Sequence, residues 1–373
     1  MAVSRKRVSI NDVSALAGVS TATVSNVFSG RKPVNADLQK RVRDAAEELG
    51  YQVDRAASQL RSGRTRVVAV LVPDLTDTFF ATIVTRIEAL ASAEGYDVIV
   101  ASSRDDRSIE ASRLNALLSW RPAGIIVVPC SSVIPEALVA ESRRLPVVLI
   151  DRVSDDCTFA DSVTIDNGDA GDIAARHLVE HGHRTIVLAA SRMDIAPIAA
   201  RCDAAARHIL RETGVQPTII ELGTASEKGA EIFTRWLERH PAPDAVMATT
   251  NVTTLAVLSA FAGLRIAIPD RTSLVAFDDY AWMSARNTGL TAIRQPVEDM
   301  AQAAWDRLMF RLDGNADAAP RAIVLHAGLV VRASVADRPA GPSPGPHPPG
   351  DPPSRPSRPP TGAEETLGSK PIH

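Results

Sequence analysis

A chain of 373 residues with 45% hydrophobic and 23% charged residues has the make-up of a folded globular protein and enough length for more than one domain. No apolar run approaches the roughly eighteen residues that a membrane span requires, and the first residues are basic and polar, which speaks against both a spanning segment and a secretory signal and places the protein in the cytoplasm. The formal net charge of -3 hides an asymmetry. Before Val67, Arg5, Lys6, Arg7, Arg31, Lys32, Lys40, Arg41, Arg43, Arg55, Arg61, Arg64 and Arg66 outnumber the acidic residues about two to one, the footprint of a polyanion-binding head on an acidic body. Cys130, Cys157 and Cys202 lie far apart with no CxxC spacing, which suits a reducing compartment and offers no zinc signature.

In chain order, residues 8–28, VSINDVSALAGVSTATVSNVF, predict two short helices joined by a tight turn. Ile10, Val13, Leu16 and Ala17 recur at helical spacing on the first, and Val24, Val27 and Phe28 do so on the second. Gly18 suits a left-handed turn position, and Ser20 can cap the second helix. The outward residues Thr21, Ala22, Thr23, Ser25 and Asn26 leave that helix slim and polar, fit for a major groove rather than for a core hairpin. This is a helix-turn-helix, with Ile10, Asn11, Ser20 and Asn35 joining the candidate DNA-binding set. Asn35 caps a third helix at 36–49, ending before Gly50, whose stripe of Leu38, Val42, Ala45, Ala46 and Leu49 closes a small core.

On these residues the head resembles the amino-terminal domain of the lac repressor and gal repressor family of bacterial transcription factors, and the resemblance continues through the chain. Residues 51–63, YQVDRAASQLRSG, resemble the family's hinge helix. In the family this helix orders only when two copies meet on operator DNA and wedge a leucine pair into the minor groove; Leu60 stands at the leucine position and Ala57 at the small one before it. Val53 and Asp54 depart from the proline and asparagine common there. The resemblance implies a helix-turn-helix domain at 1–51, a hinge at 52–66 and a two-lobed core at 67–336 that both dimerises and binds an effector.

Within that core, the near-continuous β-branched runs at 67–72, 97–102, 124–129 and 146–151 read as strands of a parallel sheet covered on both faces, separated by helices at 79–94, 109–120 and 134–143. A second series follows the segment 163–167: helices at 169–181, 199–213, 227–240 and 253–262 alternate with strands at 185–190, 218–222, 245–249 and 273–277. The stretch 290–296, a helix at 297–312 and a last strand at 322–331 complete the reading of two doubly wound α/β lobes. The resemblance gives them the periplasmic-binding-protein fold.

Ligands in such sheets sit beyond the carboxyl ends of strands, which makes Asp74, Phe79, Phe80, Ser102, Ser103 and Asp151 candidates on the first lobe and Arg201, Asn251, Asp278, Trp282 and Gln295 on the second. Residue by residue, the resemblance places Arg201 at the family's effector-holding arginine, Asp278 at the first aspartate of its FDD segment, Asn251 in its ND pair and Asp166 in the DN pair of the crossover. An arginine, carboxylates and an aromatic make a polyol site, so the expected ligand is a sugar or nucleoside. Val252 and Ala205 stand where the family commonly has an aspartate and an aromatic, which removes anchors and leaves a different effector, or none, as alternatives.

His177, His181 and His183 lie close in sequence but lack the HExxH arrangement, and no GxGxxG turn, P-loop or GxSxG elbow occurs. No metal, cofactor or catalytic constellation is therefore expected. Residues 337–373, dense in proline, glycine and serine, predict a disordered tail. The reading that follows is a homodimeric, operator-binding regulator gated by a small ligand. A transport solute-binding protein with the same core would carry a signal peptide and no basic head.

Overall fold

The computed structural model describes residues 8–29, 32–51, 65–153 and 157–338. Ala57 and Leu60, and the tail from residue 339, lie outside the described residues.

Three helices form the head: α1 (Ile10–Ala17), α2 (Thr21–Ser29) and α3 (Ala36–Leu49). Local chemistry sets each end. The Ser9 amide donates to Asp12 at 2.8 Å, the Thr23 amide donates to Ser20 Oγ at 3.1 Å, and Asn35 Oδ1 accepts the Asp37 amide at 2.8 Å. Gly18 turns the chain between α1 and α2 with φ 61°, a value that a β-carbon would strain. Val13, Ala17, Val24, Val42, Ala45 and Ala46 make the core. Leu16, expected on the buried stripe, is 48% exposed instead, because the short α1 presents only Val13 and Ala17 squarely to its two neighbours.

The body holds two six-stranded sheets of matching order. In the first lobe β1 (Val67–Val72), β2 (Asp97–Ser102), β3 (Gly124–Val127), β4 (Val147–Ile150), β5 (Asp161–Ile165) and β11 (Ala322–Leu325) run in the order β11-β5-β4-β3-β1-β2, all parallel. In the second, β6 (Ile186–Ala190), β7 (Thr218–Glu221), β8 (Ala245–Ala248), β9 (Ser273–Phe277), β10 (Thr291–Arg294) and β12 (Gly328–Val330) run in the order β12-β10-β9-β8-β6-β7. Helices α4 (Thr78–Ala93), α5 (Arg107–Ser119) and α6 (Glu136–Glu141) flank the first sheet, and α7 (Asn167–Glu180), α8 (Ala196–Thr213), α9 (Ser226–Leu237), α10 (Asn251–Leu264) and the short α11 (Ala281–Ser284) belong to the second lobe. The central strands are buried along their length, as two covered faces demand.

The chain passes between lobes three times. It leaves the first after β5 and returns after β10 into α12 (Val297–Leu312), which packs on α4. There Trp305 Nε1 donates to Glu94 at 2.9 Å, and Arg311 and Arg307 grip the fully buried Asp161 at the start of β5. The third passage corrects an expectation. The run 322–331 is two strands rather than one: β11 lies parallel to β5, the chain breaks at His326 and Ala327, and β12 lies antiparallel to β10 in the other sheet. Each half takes its ladder hydrogen bonds from a different lobe, so no single strand can satisfy both.

Candidate functional site

Sheet order makes β4 and β9 equivalent strands of the two lobes, and each ends in an aspartate with left-handed backbone: Asp151 with φ 66° and Asp278 with φ 80°. Side chains other than glycine rarely adopt this region, and such positions gather at functional sites. Between them lies Arg201 of α8, only 3% exposed, its guanidinium stacked 3.9 Å over the Phe277 ring. Arg201 Nε donates to Asn167 Oδ1 at 2.8 Å and Nη1 to the Thr249 carbonyl at 2.7 Å, with Gln295 Oε1 at 3.5 Å from Nη2. Asp278 in turn accepts the Asn251 amide at 2.9 Å and the Gln295 amide group at 2.6 Å. Burial pushes the Asp278 carboxyl up to about 6 against the pull of Arg201, and burial likewise raises Asp151. Asn251 sits between Thr250 and Val252, and its own side-chain oxygen is buried with no hydrogen-bond partner.

An open cleft of about 450 Å³ lies beside this hub, within the range of small-molecule pockets. Asp74, Asp77, Phe80, Ser102, Arg104, Asp105 and Arg152 line it from the first lobe, and Ser191, Thr224, Thr250 and Val252 from the second. Asp74 tightens the turn after β1 by accepting the Thr76 amide at 2.8 Å, and Asp77 caps α4 by accepting the Phe79 amide at 2.9 Å. Phe79 packs edge-on against Phe80 at 5.2 Å, and the Arg152 guanidinium lies 5.4 Å from the Phe80 ring. Arg152 also pairs with Asp105 and donates to the Cys130 carbonyl at 2.9 Å. Val252, the departure noted in sequence, faces this cleft, so the missing carboxylate is missing from its wall.

Of the candidates, Arg201, Asn251, Asp278 and Gln295 thus form one bonded hub, Asp151 lies close enough to Arg201 to act on its charge, and Asp74 and Phe80 line the cleft. Two lie elsewhere. Asp166 caps α7, accepting the Asp169 amide at 2.8 Å, and borders a separate cavity with Val153, Pro197 and Val324; the neighbouring Asn167 is the member of the DN pair that holds Arg201. Trp282 packs against the outer apolar cluster of the second lobe that holds Phe261 and Met283, and does not line the cleft. Arg152, Asp105 and Asp77 went unmarked in sequence although they too follow strand ends; Tyr280, two residues beyond Asp278, had no pattern to mark it.

On the head, Asn11, Ser20, Thr21 and Ala22 are exposed, and Thr23, Ser25 and Asn26 are half-buried along α2. Ile10 packs against the core and Asn35 caps α3, so both act first on the head's own stability. At the junction of α7 with β6, His181 Nδ1 lies 2.7 Å from the His177 carbonyl, and burial pushes His183 down to about 4. Among the described residues no group of His, Cys, Asp or Glu could hold a metal, and no helix is long and apolar enough to cross a membrane.

A helix-turn-helix head and a body of two doubly wound lobes in one chain define a DNA-binding transcriptional regulator. The sequence matches the bacterial regulatory proteins of the lacI family over residues 9–54 and the periplasmic binding protein-like domain over residues 175–335. It is 31% identical over 332 residues to the HTH-type transcriptional regulator PtxS of Pseudomonas putida, covering 88% of this chain and 96% of that one. The protein belongs to the lacI family of bacterial regulatory proteins. Its fold superposes on the lac repressor dimer bound to operator and the anti-inducer ONPF with a TM-score of 0.77 at 25% identity, covering 89% of this chain and 100% of that chain. A complex of the transcriptional regulator CelR with cellobiose superposes with a TM-score of 0.64 at 27% identity, covering 88% and 100%.

Proposed function

We propose that this regulator is a homodimeric repressor whose operator affinity is set by a small polyhydroxylated ligand, sugar- or nucleoside-like, bound between the lobes. The observation that carries this reading is the Arg201–Asp278 hub, with Asp151 at the matching position of the other lobe and an unpaired Asn251 oxygen beside the cleft. Paired carboxylates and a guanidinium bridge vicinal hydroxyls, and the cellobiose complex of a relative supports the sugar class. The head at 1–51 holds operator DNA through Asn11, Ser20, Thr21, Ala22, Thr23, Ser25 and Asn26, and the hinge at 52–66 adds Ala57 and the Leu60 wedge. The core at 67–336 pairs two chains so that two heads meet two half-sites. The ligand acts through its different affinity for the open and closed arrangements of the lobes.

A thermal-shift screen of neutral sugars and nucleosides on the full chain tests the effector half of this reading. At least one class is expected to raise the unfolding temperature, and a flat response across all of them would leave a regulator without a polyol effector. For a ligand that donates hydroxyls to ionised Asp278, affinity falls as pH drops through about 6, where the carboxyl takes up its proton. Without ligand, the sign for stability is set by the same group. Its raised carboxyl favours the folded state below the unfolded value, and that contribution is lost as pH rises through about 6.

Salt dependence tests the other half. A basic head pair making about six to eight phosphate contacts loses operator affinity roughly a thousandfold between about 50 and 200 mM salt. A flat dependence in gel-shift titrations would rule out phosphate contact as the main source of affinity.

A further inference from the structure

The two lobes touch across the mouth of the cleft through their own side chains. Arg192, just past β6 in the second lobe, sits 3.6 Å from Asp105 Oδ2 of the first lobe, the carboxylate that Arg152 holds through its other oxygen. The same Arg192 is bound on its own lobe by Asp194, to which its Nε donates at 2.9 Å. Asp105 Oδ2 is buried and accepts no hydrogen bond at this distance, so the carboxylate has an unused acceptor facing the second lobe. A second bridge runs from Tyr280, between β9 and α11, whose hydroxyl donates to Asp77 Oδ1 at 3.4 Å. A third joins the Ala196 amide at the start of α8 to Ser132 Oγ at 3.0 Å. Asp105 lies in left-handed backbone with φ 56°, a conformation held by its surroundings rather than by preference. Asp77, Asp105 and Arg152 are also cleft-lining residues, so a ligand entering there meets the bridging groups themselves.

We propose that Arg192–Asp105 and Tyr280–Asp77 form a latch that holds the lobes closed without ligand, and that Asp194 weakens it by competing for Arg192. This deepens the proposed function and rests on it only for the link to operator affinity. The bridges set the resting balance between closed and open lobes; an effector shifts that balance by exchanging its own hydroxyls for latch partners. Both bridges are long or partly exposed, which suits a device meant to open: each holds the closed state by a small factor, and the two factors multiply.

The test needs neither ligand nor DNA. Fluorescence donor and acceptor are attached to the full chain at Arg113→Cys on α5 and Glu231→Cys on α9, both exposed, in a Cys157→Ser background; Cys130 and Cys202 are buried and stay unlabelled. Asp105→Asn and Tyr280→Phe are each expected to shift the open-to-closed ratio roughly two- to fivefold toward open. Asp194→Asn frees Arg192 for Asp105 and is expected to shift it the other way. Equal energy transfer in all variants would overturn the latch. So would opening by Asp194→Asn, an exposed position whose replacement leaves the core intact. A failed ligand screen with these opposite shifts would remove the polyol reading and leave the latch standing.

Discussion

Replacing Arg201 with methionine is expected to destabilise the protein by about 3–5 kcal/mol and to abolish any polyol-dependent release from operator DNA. The guanidinium is sealed in the hub, where it supplies hydrogen bonds to Asn167, Thr249 and Gln295 and a positive charge that both Asp278 and Asp151 feel. Removing one member of a buried, charged set leaves its partners desolvated and uncompensated, which costs more than the set itself contributes. The loss has a direction in pH. With Arg201 gone, Asp278 and Asp151 are pushed further up, so the variant is most damaged at pH 8, where unfolding releases them as free carboxylates. The damage shrinks toward pH 5 as protons neutralise them in the fold. Urea unfolding at the two pH values measures the difference; an equal loss at both would mean that the hub is held by shape rather than by charge.

Gly171→Ala is expected to cost about 3 kcal/mol, lowering the unfolding temperature by roughly 6–10 °C. Gly171 lies where α7 crosses α8, and a β-carbon there would stand 2.2 Å from the Arg201 carbonyl oxygen and 2.9 Å from its Cα. Backbone cannot rotate out of the way as a side chain can. The two helices must separate, and the arginine that they position moves with α8, so polyol affinity falls together with stability. Gly263→Ala in α10 is the matched comparison. It has nothing within 4 Å and no left-handed backbone, so the substitution is expected to stabilise by about 0.5–1 kcal/mol through helix propensity alone. Similar melting of the two variants would refute the close-approach argument.

Much of this architecture was legible because burial on both faces leaves a signature. The runs around β1, β3, β4 and β8 are almost wholly apolar, and the turn residues between them set the alternation with helices. The rule that ligands gather beyond strand ends marked Asp151 and Asp278 without any contact information, and the fold sets the two at matching strand ends of its lobes. What stayed hidden depended on distance along the chain. AIVLHAGLVV gives no sign of which sheet each half joins, since both halves are equally apolar and only the partner strands decide. Trp282 followed the FDD segment closely enough to look like a stacking residue, but it packs against the outer cluster of the second lobe. Of Asp166 and Asn167, the charged member drew the eye, whereas Arg201 is bonded by the amide because the aspartate is already spent on capping α7. Arg152 and Asp105 are separated by 47 positions, with no local pattern to join them.

The division of the last apolar run between the sheets bears on how the molecule is made. β5 cannot gain its outer neighbour, nor Asp161 its arginines, until residues 307–325 have left the ribosome, and β10 gains its own from β12 only a few residues later, so both lobes are completed at the very end of synthesis. Until then the outer edges of β5 and β10 both stand bare. A chain cut short before α12 would therefore leave both lobes open-edged, the one nearest the head included, although the missing residues lie at the opposite end of the sequence.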